Sequence, residues 1–288
     1  MINYHHDTTL FHEALLYTEA MTGFRARLIE KDYFCSAILE RLQQEVNTPF
    51  FKGGTALSKI HARFYRMSED LDFSISVEVD CSRSKRSRLI APFKKWISAL
   101  DNSIPAIEVV ATLTGHNDST QYIAELGYTS AASGQSESIK LEIGLREPIL
   151  DRVGHQFPAA TLLLDPLRRR PVVEPILVQA LSCREAYAEK FRAALTRQEP
   201  AIRDYYDIDY GNRQSLFDVD DPVFLDLVRS KLKIADDRIV KCNDNCLEIL
   251  HRQIVPHLSP VLRESDLIDF DLDLAWQLVQ HVANKIES

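Results

Sequence analysis

Hydrophobic and polar positions follow two regimes along this chain. In the first half, short alternating runs lie among helical stretches; in the second, apolar residues recur at helical spacing almost to the end. Residues 8–21 and 31–46 read as helices, the second with Tyr33, Ile38, Leu39 and Leu42 roughly on one stripe. Pro49, Phe50 and Phe51 form an apolar, strand-like lead, and Leu71 to Val77 reads as a second strand. Residues 82–100 predict a helix with Trp96, Ile97 and Leu100 facing inward. Ile107 to Leu113 is apolar and β-branched, while Gln121–Tyr128 and Ser138–Leu145 alternate as strands with one wet face do. Thr129–Gly134 between them is a turn of small residues.

From Asp151 to Pro171 the chain is punctuated by Gly154, Pro158, Pro166, Pro171 and the triplet Arg168-Arg169-Arg170. A domain boundary is expected near 170, giving units 1–170 and 171–288, with Val172–Leu177 as a candidate edge strand bracketed by prolines. Ser182 with Glu185 three residues on makes a capping box opening a helix, and Pro200 precedes another. Helices are then expected over 221–233, about 240–255 and 272–286.

The chemistry concentrates between Phe50 and Phe73. A Lys52-Gly53-Gly54-Thr55 turn follows the strand-like lead, and Ser68-Glu69-Asp70-Leu71-Asp72-Phe73 closes the stretch. Adjacent glycines let the backbone approach a ligand closely, and a helix starting there aims free N–H groups at an anion. Lys59, Arg66 and Ser68, in the same stretch, join Lys52, Gly53, Gly54 and Thr55 as candidate nucleotide contacts. Asp70 and Asp72 are two apart, so on extended backbone both carboxylates leave the same edge with Leu71 turned inward. Carboxylates beside a phosphate cradle suit Mg²⁺, which prefers carboxylates, waters and substrate phosphates. That arrangement serves nucleotidyl transfer. The competing reading is a strand–helix–strand unit with turn glycines and solvated acids.

Two further places carry candidate chemistry. Alternation puts Ile139, Leu141 and Ile143 on one face and Lys140 and Glu142 on the other, where they could also be a solvated pair. Lys190 lies in line with Ala186 and Ala194, so it emerges beside a buried helix face and could hold a triphosphate as a point charge. Asp204 and Asp207 share a face, and Arg203 can pair with Asp207. A salt-bridged helical hairpin would look the same.

Composition narrows the options. The 288 residues are 45% hydrophobic and 26% charged, ordinary for a globular protein. The start lacks a basic segment and apolar core, so no secretory signal is expected, and no run approaches a membrane span. Five scattered cysteines without a C-x-x-C read as reduced thiols in a cytoplasmic protein, and Cys242-x₃-Cys246 as one helix face. A net charge of −8 argues against a general nucleic-acid coat. Two basic clusters remain candidates for polyanion contact: Arg83, Lys85, Arg86, Arg88, Lys94 and Lys95, and the arginine triplet. Asp269, Asp271 and Asp273 resemble a calcium loop, but Leu274 and Gln280 stand where it needs Gly and Glu, so helix capping is preferred. No H-E-x-x-H, G-x-S-x-G or P-loop is present.

Gly53-Gly54-Thr55 followed by Asp70-x-Asp72 resembles the DNA polymerase β-type nucleotidyltransferase superfamily. The wording G-G-T-A-L-S-K-I then R-M-S-E-D-L-D-F resembles, more narrowly, the AbiEii/AbiGii toxin family of toxin–antitoxin and phage-defence systems. Glu30-Lys31-Asp32-Tyr33 is similar to that family's lead-in, with Asp32 a candidate helix cap. The run E-A-Y-A-E-K-F-R-A-A-L, then R-D-Y-Y-D, is similar to its later motifs, with Tyr187 and Phe191 as small departures. The resemblance spans roughly residues 28–212. It implies an α/β (α+β) fold: a polymerase β-like core with a small mixed sheet, then a helical C-terminal domain. It further implies transfer of a nucleoside monophosphate from an NTP to a hydroxyl, with Mg²⁺ and release of pyrophosphate. Asp70 and Asp72 would bind the metal, Glu142 would be the third carboxylate, and Lys190 would steady the triphosphate. The family's essential aspartate falls on Asp204, the acid of the R-D pair, or on Asp207. An antitoxin partner is implied, and tRNA is the leading acceptor because some relatives modify its acceptor end. A small-molecule or protein nucleotidyltransferase, or a catalytically silent nucleotide- or RNA-binding module, would share much of this pattern.

Overall fold

The structure is a computed structural model that describes residues 3–46, 49–151, 155–234 and 244–287. The chain forms two compact units: residues up to 149 with 155–180, and residues 150–151 with 181–287. The division falls after Ala180 rather than near 170, because a late strand pairs back into the first unit.

The first unit opens with α1 (Thr8–Thr22) and α2 (Ala26–Glu45). Asp7 caps α1 through the Leu10 amide, and Gly23 ends it in the left-handed conformation. α2 begins five residues earlier than the apolar stripe suggests, so Asp32 lies inside the helix and caps nothing. Tyr33, Ile38, Leu39 and Leu42 are buried as expected, but so are Glu30, Lys31 and Asp32. Next come β1 (Phe50–Lys52), α3 (Gly53–Ala56), which runs on as a π-turn over Leu57–His61, and β2 (Leu71–Ser74). α4 (Arg83–Ile97) is capped by Ser82 and buries Trp96 and Ile97; α5 (Leu100–Ser103) follows it and buries Leu100.

β3 (Glu108–His116), β4 (Gln121–Thr129) and β5 (Ser136–Gly144) complete a mixed sheet in the order β1-β2-β5-β4-β3. Only β2 and β5 run parallel; the other neighbours are antiparallel. Strand periodicity of two gives the sheet unlike faces. Phe51, Leu71, Phe73, Ala124, Leu126, Ile139, Leu141 and Ile143 are buried on one side. Lys52, Asp72, Ile123, Glu125, Lys140 and Glu142 lie on the other, half-buried or exposed. β6 (Gln156–Ala159) pairs antiparallel with β7 (Ile176–Gln179). β6 was not expected, since Pro158 reads as a breaker; in an outer two-stranded ladder a proline is tolerated.

The second unit is helical: α6 (Cys183–Thr196), α7 (Ile202–Arg213), α8 (Pro222–Ile234), α9 (Asp244–Gln253), α10 (Glu264–Ile268) and α11 (Leu272–Glu287). Ser182 caps α6 through the Glu185 amide. The other half of the expected capping box is diverted: Glu185, fully buried, accepts from the Leu150 and Asp151 amides and pairs with Lys231 at 2.7 Å. Asp271 caps α11 through the Leu274 amide, in line with the capping reading. Cys35, Cys81, Cys183 and Cys246 are free thiols; Cys242, Gly154 and the first residues expected in α9 lie outside the described residues. No helix among the described residues is long and apolar enough to cross a membrane.

Candidate active site

The wet face of the sheet carries the site. Register aligns Lys52 on β1, Asp72 on β2, Glu142 on β5 and Ile123 on β4 in one row. Parallel pairing sets Asp72 beside Glu142, so the two carboxylates leave adjacent strands on the same face. Gly53, immediately after β1, has φ +75, and a Cβ there would overlap Asp72 Oδ2 and stand 3.1 Å from its Cγ. Only glycine allows that turn to pass so close to the carboxylate. Gly54 is hemmed in as well: a Cβ would lie 2.5 Å from Arg66 Nη2 and 2.9 Å from Ser68 Oγ. Backbone N–H groups at the start of α3, a guanidinium and a hydroxyl therefore meet at one spot, the chemistry of an anion cradle.

The loop before β2 is tied down from beneath. Thr55 Oγ donates to the Asp70 carbonyl and Ser58 Oγ to the Arg66 carbonyl. Thr55 is buried, so its hydroxyl positions the Asp70–Asp72 segment. Asp70 is exposed just ahead of β2.

Electrostatics separate the carboxylates. Burial pushes Asp72 from 3.8 up to about 6; Lys52 opposes this, Glu142 and Asp70 reinforce it, and Lys140 opposes it weakly. Burial also works against the charge of Glu142, but the Lys140 ammonium at 2.9 Å, with Gln121 and Lys52, overcomes it and holds its pKa below the ordinary value. The pair thus combines a firmly ionised acid with one poised near neutrality. Lys140 and Gln121 are the neighbours that sequence reasoning did not assign a role. Gln121 was legible only as a wet-face strand position; its Oε1 accepts from Asn117 and Arg146, both at 2.8 Å.

Among the described residues, no three His, Cys, Asp or Glu side chains converge closely enough to hold a metal on their own. The expected trio of Asp70, Asp72 and Glu142 does not close into such a cluster: Glu142 is drawn to Lys140, and Asp70 is exposed ahead of the strand. The donor set still fits a divalent cation of the Mg²⁺ kind, which needs one or two carboxylates plus substrate phosphates. Burial first, then Glu142 and Asp70, disfavour the negative charge of Asp72, so a bound cation would be stabilising there.

Lys59 is placed elsewhere. Its ammonium is fully buried, 2.6 Å from Asp32 Oδ1, and bonded to Ser36 Oγ and the Ala160 carbonyl. Asp32 also accepts from the Leu162 amide, and Glu30 accepts from Ser130 and Ala131. Lys31 pairs with Glu69 at 2.9 Å. The E-K-D-Y lead-in is thus a buried polar clamp inside the first unit.

In the helical unit, Lys190 pairs with Asp204 at 3.0 Å and with Asp207 at 2.8 Å. Asp207 is fully buried and Asp204 nearly so; Asp204 Oδ2 lacks a hydrogen bond but has Arg197 at 3.4 Å. Asp207 thus has Lys190 as an ion-pair partner, and Arg203 Nε donates to the His257 carbonyl. Both aspartates hold the same ammonium.

No curated protein matches the chain. Two crystal structures from Helicobacter pylori resemble it. JHP933 has 16% identity and a TM-score of 0.52, over 92% of this chain and 95% of that one. A candidate nucleotidyltransferase has 15% identity and a TM-score of 0.51, over 91% and 96%. These likenesses establish the fold. Residues 37–281 match the family described as nucleotidyl transferase AbiEii toxin, type IV toxin–antitoxin system. The chain therefore belongs to the AbiEii family and is a nucleotidyltransferase of the toxin class, a class that uses an NTP and is partnered by an antitoxin.

Proposed function

We propose that this protein transfers a nucleoside monophosphate from an NTP to a hydroxyl at the 3′ end of tRNA, releasing pyrophosphate, in the cytoplasm. The observation that carries the chemistry is the row Lys52–Asp72–Glu142, with the Gly53–Gly54 turn packed on Asp72. Asp70 and Asp72 would hold Mg²⁺, with Glu142 as a third acid, and the ion, when bound, would neutralise triphosphate charge and acidify the attacking hydroxyl.

The chain's own groups divide the remaining work. Amides at Gly53 and Gly54, with Lys52, Arg66 and Ser68, cradle the phosphates. Glu142, kept ionised by Lys140, accepts the proton of the acceptor hydroxyl. Lys190, held by Asp204 and Asp207, supplies a positive charge for the triphosphate. Thr55 acts through the loop that it ties to Asp70. We assign Lys59 to the fold rather than to the nucleotide. A direct antitoxin contact belongs to the same proposal.

The test is incubation of the protein with Mg²⁺, total bacterial tRNA and each α-³²P NTP in turn. Label in tRNA from one NTP supports the reading. Label in protein or a small hydroxylated compound would keep the chemistry and remove tRNA. No label anywhere would favour a silent binding module.

A further inference from the structure

Between Leu163 and Val172 the first unit projects a tight, preformed turn. The Asp165 carboxylate accepts from the Leu167 and Arg168 amides at 2.8 and 2.9 Å. Asp165 N donates to the Arg170 carbonyl and Arg169 N to the Asp165 carbonyl. Below the turn, Val172 N bonds the Leu163 carbonyl, and Leu164 bridges Pro171. Arg169 sits at φ +54, a conformation that costs a non-glycine residue energy and that the surrounding bonds enforce.

What this rigid turn displays is unusual for the chain. Leu167 is 86% exposed, and Arg168, Arg169 and Arg170 are all exposed. Among the described residues, none of the three guanidinium groups makes a hydrogen bond or ion pair. In a protein of net charge −8, three consecutive arginines are held outward by the bonds of their backbone and of the Asp165 carboxylate, which the Arg168 and Arg170 guanidinium groups influence through charge without a direct contact. A guanidinium offers a planar fork of donors that matches a phosphate. A polyanion approaching an acidic protein needs such a local positive tip.

We propose that the Leu167–Arg170 turn is a docking finger for the phosphodiester backbone of the acceptor RNA, an inference that rests on the RNA-acceptor reading above. The arginines engage phosphates, and Leu167 covers a sugar or base face. Such contacts give affinity and register without sequence choice.

The experiment is fluorescence anisotropy of labelled total tRNA with the full chain across salt concentrations. The variant is Arg168→Ala/Arg169→Ala/Arg170→Ala; the control is Lys85→Ala/Arg88→Ala/Lys95→Ala, which removes equal charge from α4. Each phosphate contact contributes about 0.7–0.9 to the salt slope, so the turn variant should lower it by roughly 2 and weaken binding about tenfold at low salt. The control should change the slope by less than half as much. In transfer assays the variant should raise KM for RNA and leave KM for the NTP unchanged. Unaltered affinity and slope, or an equal loss in the control, would overturn the finger even where wild-type protein labels tRNA. Binding through the turn without any RNA labelling would instead sink only the acceptor assignment. Wild-type protein that ignores RNA would overturn both and leave an acidic protein face as the turn's partner.

Discussion

Asp72 fills the space that any side chain at position 53 would need: a Cβ on Gly53 would overlap the carboxylate's Oδ2. The glycine directly follows β1 and the acid lies on β2, and the two strands pair so that Lys52 faces Asp72. The glycine turn proposed as nucleotide cradle and the carboxylate proposed to bind the metal are therefore one packed unit. We predict that Gly53→Ala costs about 1–3 kcal/mol, from the positive φ and the collision together. It should lower transfer by more than the lost stability explains. Urea unfolding and initial rates on the same preparation check this; wild-type rates in the folded variant would separate the turn from catalysis.

The raised pKa of Asp72 has a signed consequence. Its carboxyl moves from 3.8 up to about 6, so between those pH values the folded state holds a proton that the unfolded state has released. Stability from this group falls as pH rises through that window and is level above it. Allowing for its partial exposure, the loss is on the order of 1–2 kcal/mol. Asp72→Asn should flatten this portion of the metal-free stability curve while abolishing transfer, as denaturant midpoints from pH 4 to 7 would reveal. An unchanged curve would show that the carboxyl is not perturbed.

Lys140 is predicted to matter through Glu142. Removing the ammonium 2.9 Å away leaves only Gln121 and Lys52 to oppose burial, so the pKa of Glu142 rises and its ionised fraction falls at low pH. Lys140→Met should shift the acid limb of the rate profile upward and cut the rate about tenfold near pH 6. Glu142→Gln should lower the rate about a hundredfold at every pH, within the usual range for a general base. A pH profile of Lys140→Met that overlays wild type would remove this role.

The Asp32–Lys59 pair should behave as part of the fold. Lys59→Met strands a buried carboxylate and is predicted to cost about 3–5 kcal/mol. Adding Asp32→Asn should recover most of that loss, and both variants should keep wild-type rates per folded molecule. Loss of transfer at undiminished stability would return Lys59 to the phosphates.

Lys190 calls for a different outcome. Lys190→Met leaves Asp204 and Asp207 buried without their shared cation, so stability falls, and Asp204→Asn/Asp207→Asn in the same chain should restore it. Transfer should stay lost in the restored triple variant. If activity returns with stability, the lysine only holds the helices together.

What could be read in advance divides along the range of the interactions. Gly53-Gly54, Asp72 and Glu142 announce themselves through glycine conformation and strand alternation, signals that need only a few neighbouring residues. Their alignment across β1, β2 and β5 then follows from pairing. The role of Asp32 was not legible, because its partners Lys59 and Leu162 lie 27 and 130 residues away. A separation of 100 residues likewise hides the bond between Glu30 and Ser130. Lys59 sits in the expected motif, yet its side chain turns to the opposite side and into the core. The boundary moved to Ala180 for a similar reason: β7 belongs where β6 needs a partner, and Pro158 disguised β6.

The most direct test is NTP-dependent labelling by wild-type protein beside Asp72→Asn at matched folding, with α-labelled NTP, Mg²⁺ and total tRNA. The account predicts label in the nucleic acid and equimolar pyrophosphate from wild type, with at least a hundredfold less of both from the variant. Equal labelling by the two proteins would contradict it, because the row of Lys52, Asp72 and Glu142 would then not be where transfer occurs.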